Sequence, residues 1–237
     1  MKGNITRAIS KIRVKYTKGK PLRFLTHLEV VSAIRQAVRR ASLPVCISSG
    51  FSPQPKISFG PPLPVGYTSN CEIFDMEMFR RIGADEVEKS LSSSMPPALG
   101  IISTSSVPVV SKSVELLVNA AKYSIEIPSK QQCSPRLQSG VSEANIKIKD
   151  FFSAKEFLIE RITDKSRRTI DVRPLMVYMK YIDGKIEMLL RFGPQKTAKP
   201  DVIIQKVFGL ADDEKSELII NRDEFFYEMA NGEIIKI

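Results

Sequence analysis

Residues 175–181 and 185–192 are two apolar-rich runs that flank Asp183-Gly184. That dipeptide is the strongest short-range signal for a two-residue β-hairpin, because both of its positions tolerate the positive φ that such a turn requires. The chain is therefore expected to build an antiparallel sheet, and every other regular segment must be accommodated around it. Residues 9–17 alternate, with Ile12 and Val14 on one face and Lys11, Arg13 and Lys15 on the other, as a half-buried strand does. The polar face of that strand is predicted to be exposed and basic. Thr26 can cap a helix over 26–41, in which Val30, Ile34, Ala37, Val38 and Ala41 form an apolar stripe. A short strand is expected at 45–47, an irregular Pro/Gly loop over 48–64, a strand at 71–79, a helix at 84–92 and a strand at 99–107.

That order, β-α-β-β-α-β, predicts an α+β fold whose first half, residues 1–111, is a ferredoxin-like split βαβ. The second half, residues 112–237, reads as α+β too, with a ferredoxin-like arrangement as its candidate. It has a connecting helix within 112–120, a strand at 122–127, a loop at 128–140, a helix at 142–152 and a strand at 156–162. The hairpin follows, then a helix at 201–208 between Pro200 and Gly209, and a turn at Asn231-Gly232 separating runs 225–229 and 233–237.

No stretch approaches the roughly 20 apolar residues of a membrane-spanning helix, and the N-terminal residues lack the apolar core of a secretory signal. A cytoplasmic protein is the expectation. Cys46, Cys71 and Cys133 are far apart and in no CxxC pattern. They are read as buried thiols, with no metal and no cofactor expected.

The formal charge is +10, and residues 1–41 hold eleven Lys/Arg against one acid, Glu29. The entire surplus therefore lies in that segment and the rest of the chain is formally neutral. Such polarity favours a polyanion, of which RNA or DNA is the commonest inside a cell. His27, the only histidine, is predicted in the first turn of the basic helix near Arg23, where a general acid or base near pH 7 is conceivable; packing or capping is the plainer role. Arg35 and Arg39, four apart, share a helix face with Arg40 adjacent. The loop 48–64 mixes glycines with Phe51 and Phe59, which can stack on bases, and Lys56, which can meet a phosphate; the same phenylalanines can instead plug the core. Arg168, Asp171 and Arg173 make a second candidate site, either a substrate contact or a local ion pair between Asp171 and Arg173. No Walker loop, HExxH, GxSxG or dinucleotide GxGxxG is present.

The runs RFLTHLEVVSAIRQAVRRASLP, SSGFSPQPKISFGPPLPVG, DVRPLM and LRFGPQKTAKPDVII resemble the radical-SAM-linked family, whose members are encoded beside or fused to radical SAM proteins. The resemblance covers nearly the whole chain. It implies an accessory or substrate-presenting role beside a radical SAM enzyme, with RNA as the substrate class. The chain departs from the family pattern at Gln54, where a second histidine is usual, and at Gly193-Pro194-Gln195-Lys196, where a glycine-rich turn is usual. The three closely spaced cysteines of a radical SAM cluster are missing, so a cluster would belong to the partner. A looser, architectural similarity is to repeat-associated RNA-processing ribonucleases.

Three readings follow. In the first the chain is a binding module, with Arg23, Arg35, Arg39, Arg40 and Lys56 on phosphates and Phe51 and Phe59 on bases. In the second it is a metal-independent ribonuclease using His27. In the third its basic face docks an acidic protein. Whether it is an enzyme is left open by the sequence.

Overall fold

The computed structural model describes residues 6–127, 140–163, 166–192 and 197–237. The chain is mixed α+β and divides into two compact units, Met1–Val118 and Asn119–Ile237, where the sequence had suggested a boundary at 111/112.

In the first unit β1 (Ser10–Lys18), α1 (His27–Arg40), β2 (Ile57–Phe59), β3 (Thr68–Met78), α2 (Ala84–Ser92) and β4 (Ile101–Val107) follow in sequence. A four-residue helix, α3 (Val114–Leu117), closes the unit. The strands pair antiparallel in the order β4-β1-β3-β2, which is the split βαβ sheet that the element order predicts. Ile12, Val14, Ile34, Val38, Phe74, Met76, Met78 and Leu91 pack between sheet and helices, each at most 2% exposed. Each such side chain contributes about 1.5–3 kcal/mol of transfer free energy.

Two local expectations need correction. Val45 and Ile47 form only isolated bridges, to Met78 and Pro55, and the second strand lies instead at Ile57–Phe59, inside the segment expected to be irregular. Prolines at 53, 55, 61 and 62 bracket that strand, and its pairing with β3 overrides the local breakers. The second correction concerns the basic face of β1, which is not open. Lys11 is 7% exposed and its Nζ donates to Ser111 O at 3.0 Å. Arg13 is tied to Asp75, and α3 packs near β2 and β3. Lys18, 2% exposed, donates to the carbonyls of Arg23 and Leu25. The internal structure thus consumes part of the basic surplus.

In the second unit β5 (Ala120–Glu126), α4 (Gly140–Ser153), the hairpin β6 (Leu158–Thr163) and β7 (Ser166–Asp171), β8 (Met176–Ile182) and β9 (Lys185–Arg191) are followed by α5 (Pro200–Phe208), α6 (Asp212–Glu217), β10 (Ile219–Glu228) and β11 (Ile234–Lys236). The main strands run β10-β5-β9-β8, all antiparallel, with β11 on β10. With β6 and β7 set aside as an inserted pair, this is the order of the first unit again. The β8–β9 turn places Asp183 at φ +48° and Gly184 at +80°, as the hairpin signal requires. Pro200 opens α5, and Gly209 ends it in the left-handed conformation. The loop expected over 128–140 lies, but for its last residue, outside the described residues. So does the Gly193-Pro194-Gln195-Lys196 turn. Among the described residues no helix is long and apolar enough to cross a membrane.

Candidate nucleic-acid interface on the first helix and its loop

Helix α1 begins where the sequence says it must. Thr26 Oγ1 accepts from Glu29 N at 3.3 Å, and Glu29 Oε2 accepts from Thr26 N at 2.7 Å, completing a capping box. The Thr26 side chain, then its backbone N–H, holds the Glu29 carboxyl below the ordinary glutamate range. Lys18 fastens the lead-in from beneath, and Gly66, at φ +91°, donates its N–H to Arg23 O at 2.8 Å. One end of the glycine–proline loop is therefore pinned to the entrance of α1.

His27 is half-buried in the first turn. Its ring stands edge-on to Phe59, with centroids 6.1 Å apart, and Phe59 in turn packs on Phe74 of the core at 5.7 Å. Phe59 and Ile57 point to the helix side of the sheet, so Phe59 acts as a wedge under α1 rather than as a free platform. Lys56 points to the other side, where its Nζ donates to Thr6 O at 2.7 Å and lies 3.6 Å from Glu77. The structure consequently separates Lys56 from the arginines of α1 by the thickness of the sheet.

Arg23 lays its guanidinium over Phe24, 4.5 Å from the ring centroid. Arg35 is half-buried, and its Nε is buried without a hydrogen-bond partner among the described residues. Arg39 Nη2 donates to Gln54 Oε1 at 2.8 Å. Gln54 N donates to Ser48 Oγ, and Ser48 N donates to Gln54 O, closing the segment 48–54 into a small loop. At its tip Phe51 is fully exposed. Arg40 turns away, donating to Ser94 O beyond the end of α2 at 2.8 Å. Arg35 and Arg39 thus share a helix face, and the loop that carries Phe51 is fastened to it through Arg39 and Gln54, while Arg40 and Lys56 do not join them. His27 and Arg39 are twelve residues apart on the helix, about 18 Å along its axis.

The second candidate site has a different character. Asp171 Oδ1 accepts from the backbone N–H groups of Phe157 and Arg173, at 2.8 and 3.0 Å. The Arg173 guanidinium lies over Phe152 and Phe151, 4.7 and 5.8 Å from their centroids. The carboxylate thereby ties the two ends of the β6–β7 hairpin together, and Arg168 is left exposed on β7. Cys46 is buried, and burial pushes its thiol upward; Cys71 is half-buried, and Cys133 lies outside the described residues.

Sequence reasoning missed two participants. Phe24 is exposed beside Arg23, in the lead-in ahead of the Thr26 cap, where no helical spacing marks it. Gln54, read only as a departure from a family pattern, is the side chain that holds Arg39.

An α+β chain of two ferredoxin-like halves, with guanidinium groups on its first helix and exposed phenylalanines at Phe24 and Phe51, is the class that these observations define. Residues 11–200 match the family described as "Uncharacterized protein conserved in bacteria (DUF2344)", and the chain belongs to that family. No curated protein matches it. Among solved structures it is similar to a chain of the "Crystal Structure of a Cbf5-Nop10-Gar1 Complex", with 11% identity and a TM-score of 0.45. That alignment covers 94% of this chain and 50% of the other, so the protein spans about half the length of the solved chain.

Proposed function

We propose that this protein is an RNA-binding accessory module that presents its ligand to a radical SAM enzyme. The observation that carries the binding step is Phe51, whose whole ring stands in solvent at the tip of a loop fastened to α1 by the Arg39–Gln54 bond. A single exposed ring is ordinary on a protein surface; what supports the reading is that this ring stands on a loop fastened to Arg39, so that an open aromatic face and guanidinium groups belong to one helix–loop unit. Arg39 and the half-buried Arg35 beside it supply charge for a phosphate, and the aromatic face supplies a sequence-tolerant stack for a base. The radical SAM partner rests on the family resemblance of the four sequence runs, and in this reading the partner supplies both cluster and chemistry.

The test is fluorescence anisotropy of labelled single-stranded RNA at two salt concentrations, with wild type, Phe51→Ala and Arg35→Ala/Arg39→Ala. Binding should weaken with salt, Phe51→Ala should cost about 1–3 kcal/mol, and each arginine removed should lower the salt slope by about 1. Binding that ignores both salt and Phe51 would remove the reading.

A further inference from the structure

We propose that the outer edge of β4 is a self-association surface, on which a second copy of this chain pairs its own β4 antiparallel. β4 hydrogen-bonds to β1 on one side, and no strand among the described residues pairs with the other. An unpaired strand edge is a row of N–H and C=O groups ready to bind extended backbone, and proteins that must avoid this shorten the edge or place a charge or proline on it. The other edge strands here use those devices. β2 and β11 are three residues long, and β8 carries the exposed Lys180. β4 reads IISTSSV, seven residues without a charge or a proline.

The occupant follows from the pattern of that strand. Its register with β1 slips at Ile102, between the pairs Lys15↔Ser103 and Tyr16↔Ile101, which leaves 103–107 as the regular portion, with Ser105 at its middle. A twofold axis through an antiparallel pair sets one residue opposite its own copy. With Ser105 there, Thr104 faces Ser106 and Ser103 faces Val107, so no charge meets a like charge. The same axis carries the apolar start of one strand toward the apolar residues that follow the other, Ile102 toward Pro108 and Ile101 toward Val109, where the chain leaves β4 in a turn closed by Ser111 N on Pro108 O. Ile102 and Val109 are 47% and 37% exposed in the single chain, and apolar exposure at both ends of a bare edge is what such a pairing would cover. The centre is polar and uncharged and both ends are apolar, so the edge is complementary to itself.

The experiment is sedimentation equilibrium of the full chain over a wide concentration range, for wild type, Ser105→Lys and Ile102→Lys, with thermal melting of each to establish folding. Wild type should show a monomer–dimer equilibrium. Ser105→Lys sets two ammonium groups face to face, and Ile102→Lys sets one against the apolar end of the other strand; each should weaken dimerisation roughly tenfold or more while the chain stays folded. Both positions are exposed, so neither change disturbs the core. A wild type that is monomeric throughout, or a dimer that either folded variant leaves unchanged, overturns the proposal.

Discussion

Arg13 on β1 lies opposite Asp75 on β3 and donates Nε and Nη2 to its two carboxylate oxygens, at 2.8 and 3.0 Å. The Asp75 side chain is 1% exposed and that of Arg13 14%. Two charges in such a place hold each other, because neither can return to water without unfolding the sheet.

Arg13→Ala should therefore destabilise the first unit by about 3–5 kcal/mol, since it strands a buried carboxylate. Replacing both partners with leucine should recover most of that loss, because the buried charge leaves with its partner. Urea unfolding followed by circular dichroism measures both. A single variant as stable as wild type would show that the buried carboxylate does not depend on Arg13.

Thr26→Ala removes the side-chain half of the capping box and should cost about 1 kcal/mol. Because Gly66 and Lys18 independently hold the lead-in through Arg23 O, the helix should shift little and RNA affinity should change less than stability does. Melting and anisotropy on one preparation separate the two. Equal losses in both would place the helix start within the RNA contact.

In the second unit two carboxyls shift in opposite directions. The hydrogen bond from Arg191, at 2.7 Å through Nη2, holds Glu228 below the ordinary glutamate value. A depressed folded value means stability that is complete above the ordinary range and lost as pH falls through the folded value. Glu228→Gln should flatten the acid side of the melting curve. Burial pushes Asp223 upward even though Asn221 and Ser124 donate to it. Its ionisation therefore opposes folding, beginning at the ordinary aspartate range and in full above the raised folded value. Asp223→Asn should raise the melting temperature at neutral pH and lose that advantage in acid, and a melting temperature lowered at neutral pH would contradict the sign.

How far the sequence could be read depended on whether the deciding partner was near in the chain. The capping box, the Asp183-Gly184 turn and the Gly209 stop are local, and each appears where its residues predict. β2 is not local. Ile57, Ser58 and Phe59 become a strand because Met76, Asp75 and Phe74 offer them a ladder, and prolines on both sides masked that in any window. β10 was visible only from Phe225 onward, because Asn221, Arg222 and Asp223 interrupt its alternation where the register with β5 slips. The largest misreading, the open basic face of β1, has the same origin. Lys11 and Arg13 find Ser111 and Asp75 far along the chain, and no local pattern announces a partner 62 or 100 residues away. For the candidate site, the residue types were legible and their grouping was not: whether Lys56 faces α1 or the opposite side of the sheet depends on the β2 register.

His27 tests that grouping most directly. A ribonuclease would need this imidazole within hydrogen-bond reach of the hydroxyl it deprotonates, with cationic groups around the same phosphate. Instead its ring abuts Phe59, while Arg35 and Arg39 lie about 12 and 18 Å farther along the helix axis. His27→Ala should lower stability by about 0.5–1.5 kcal/mol through loss of the ring contact, and should leave RNA affinity and RNA length unchanged. Labelled RNA incubated in EDTA with wild type and variant, read for fragments and retention together, decides it. Fragments made by wild type and absent with the variant would move His27 from packing to catalysis, and would require the bound RNA to run along α1 toward its first turn rather than end at Phe51.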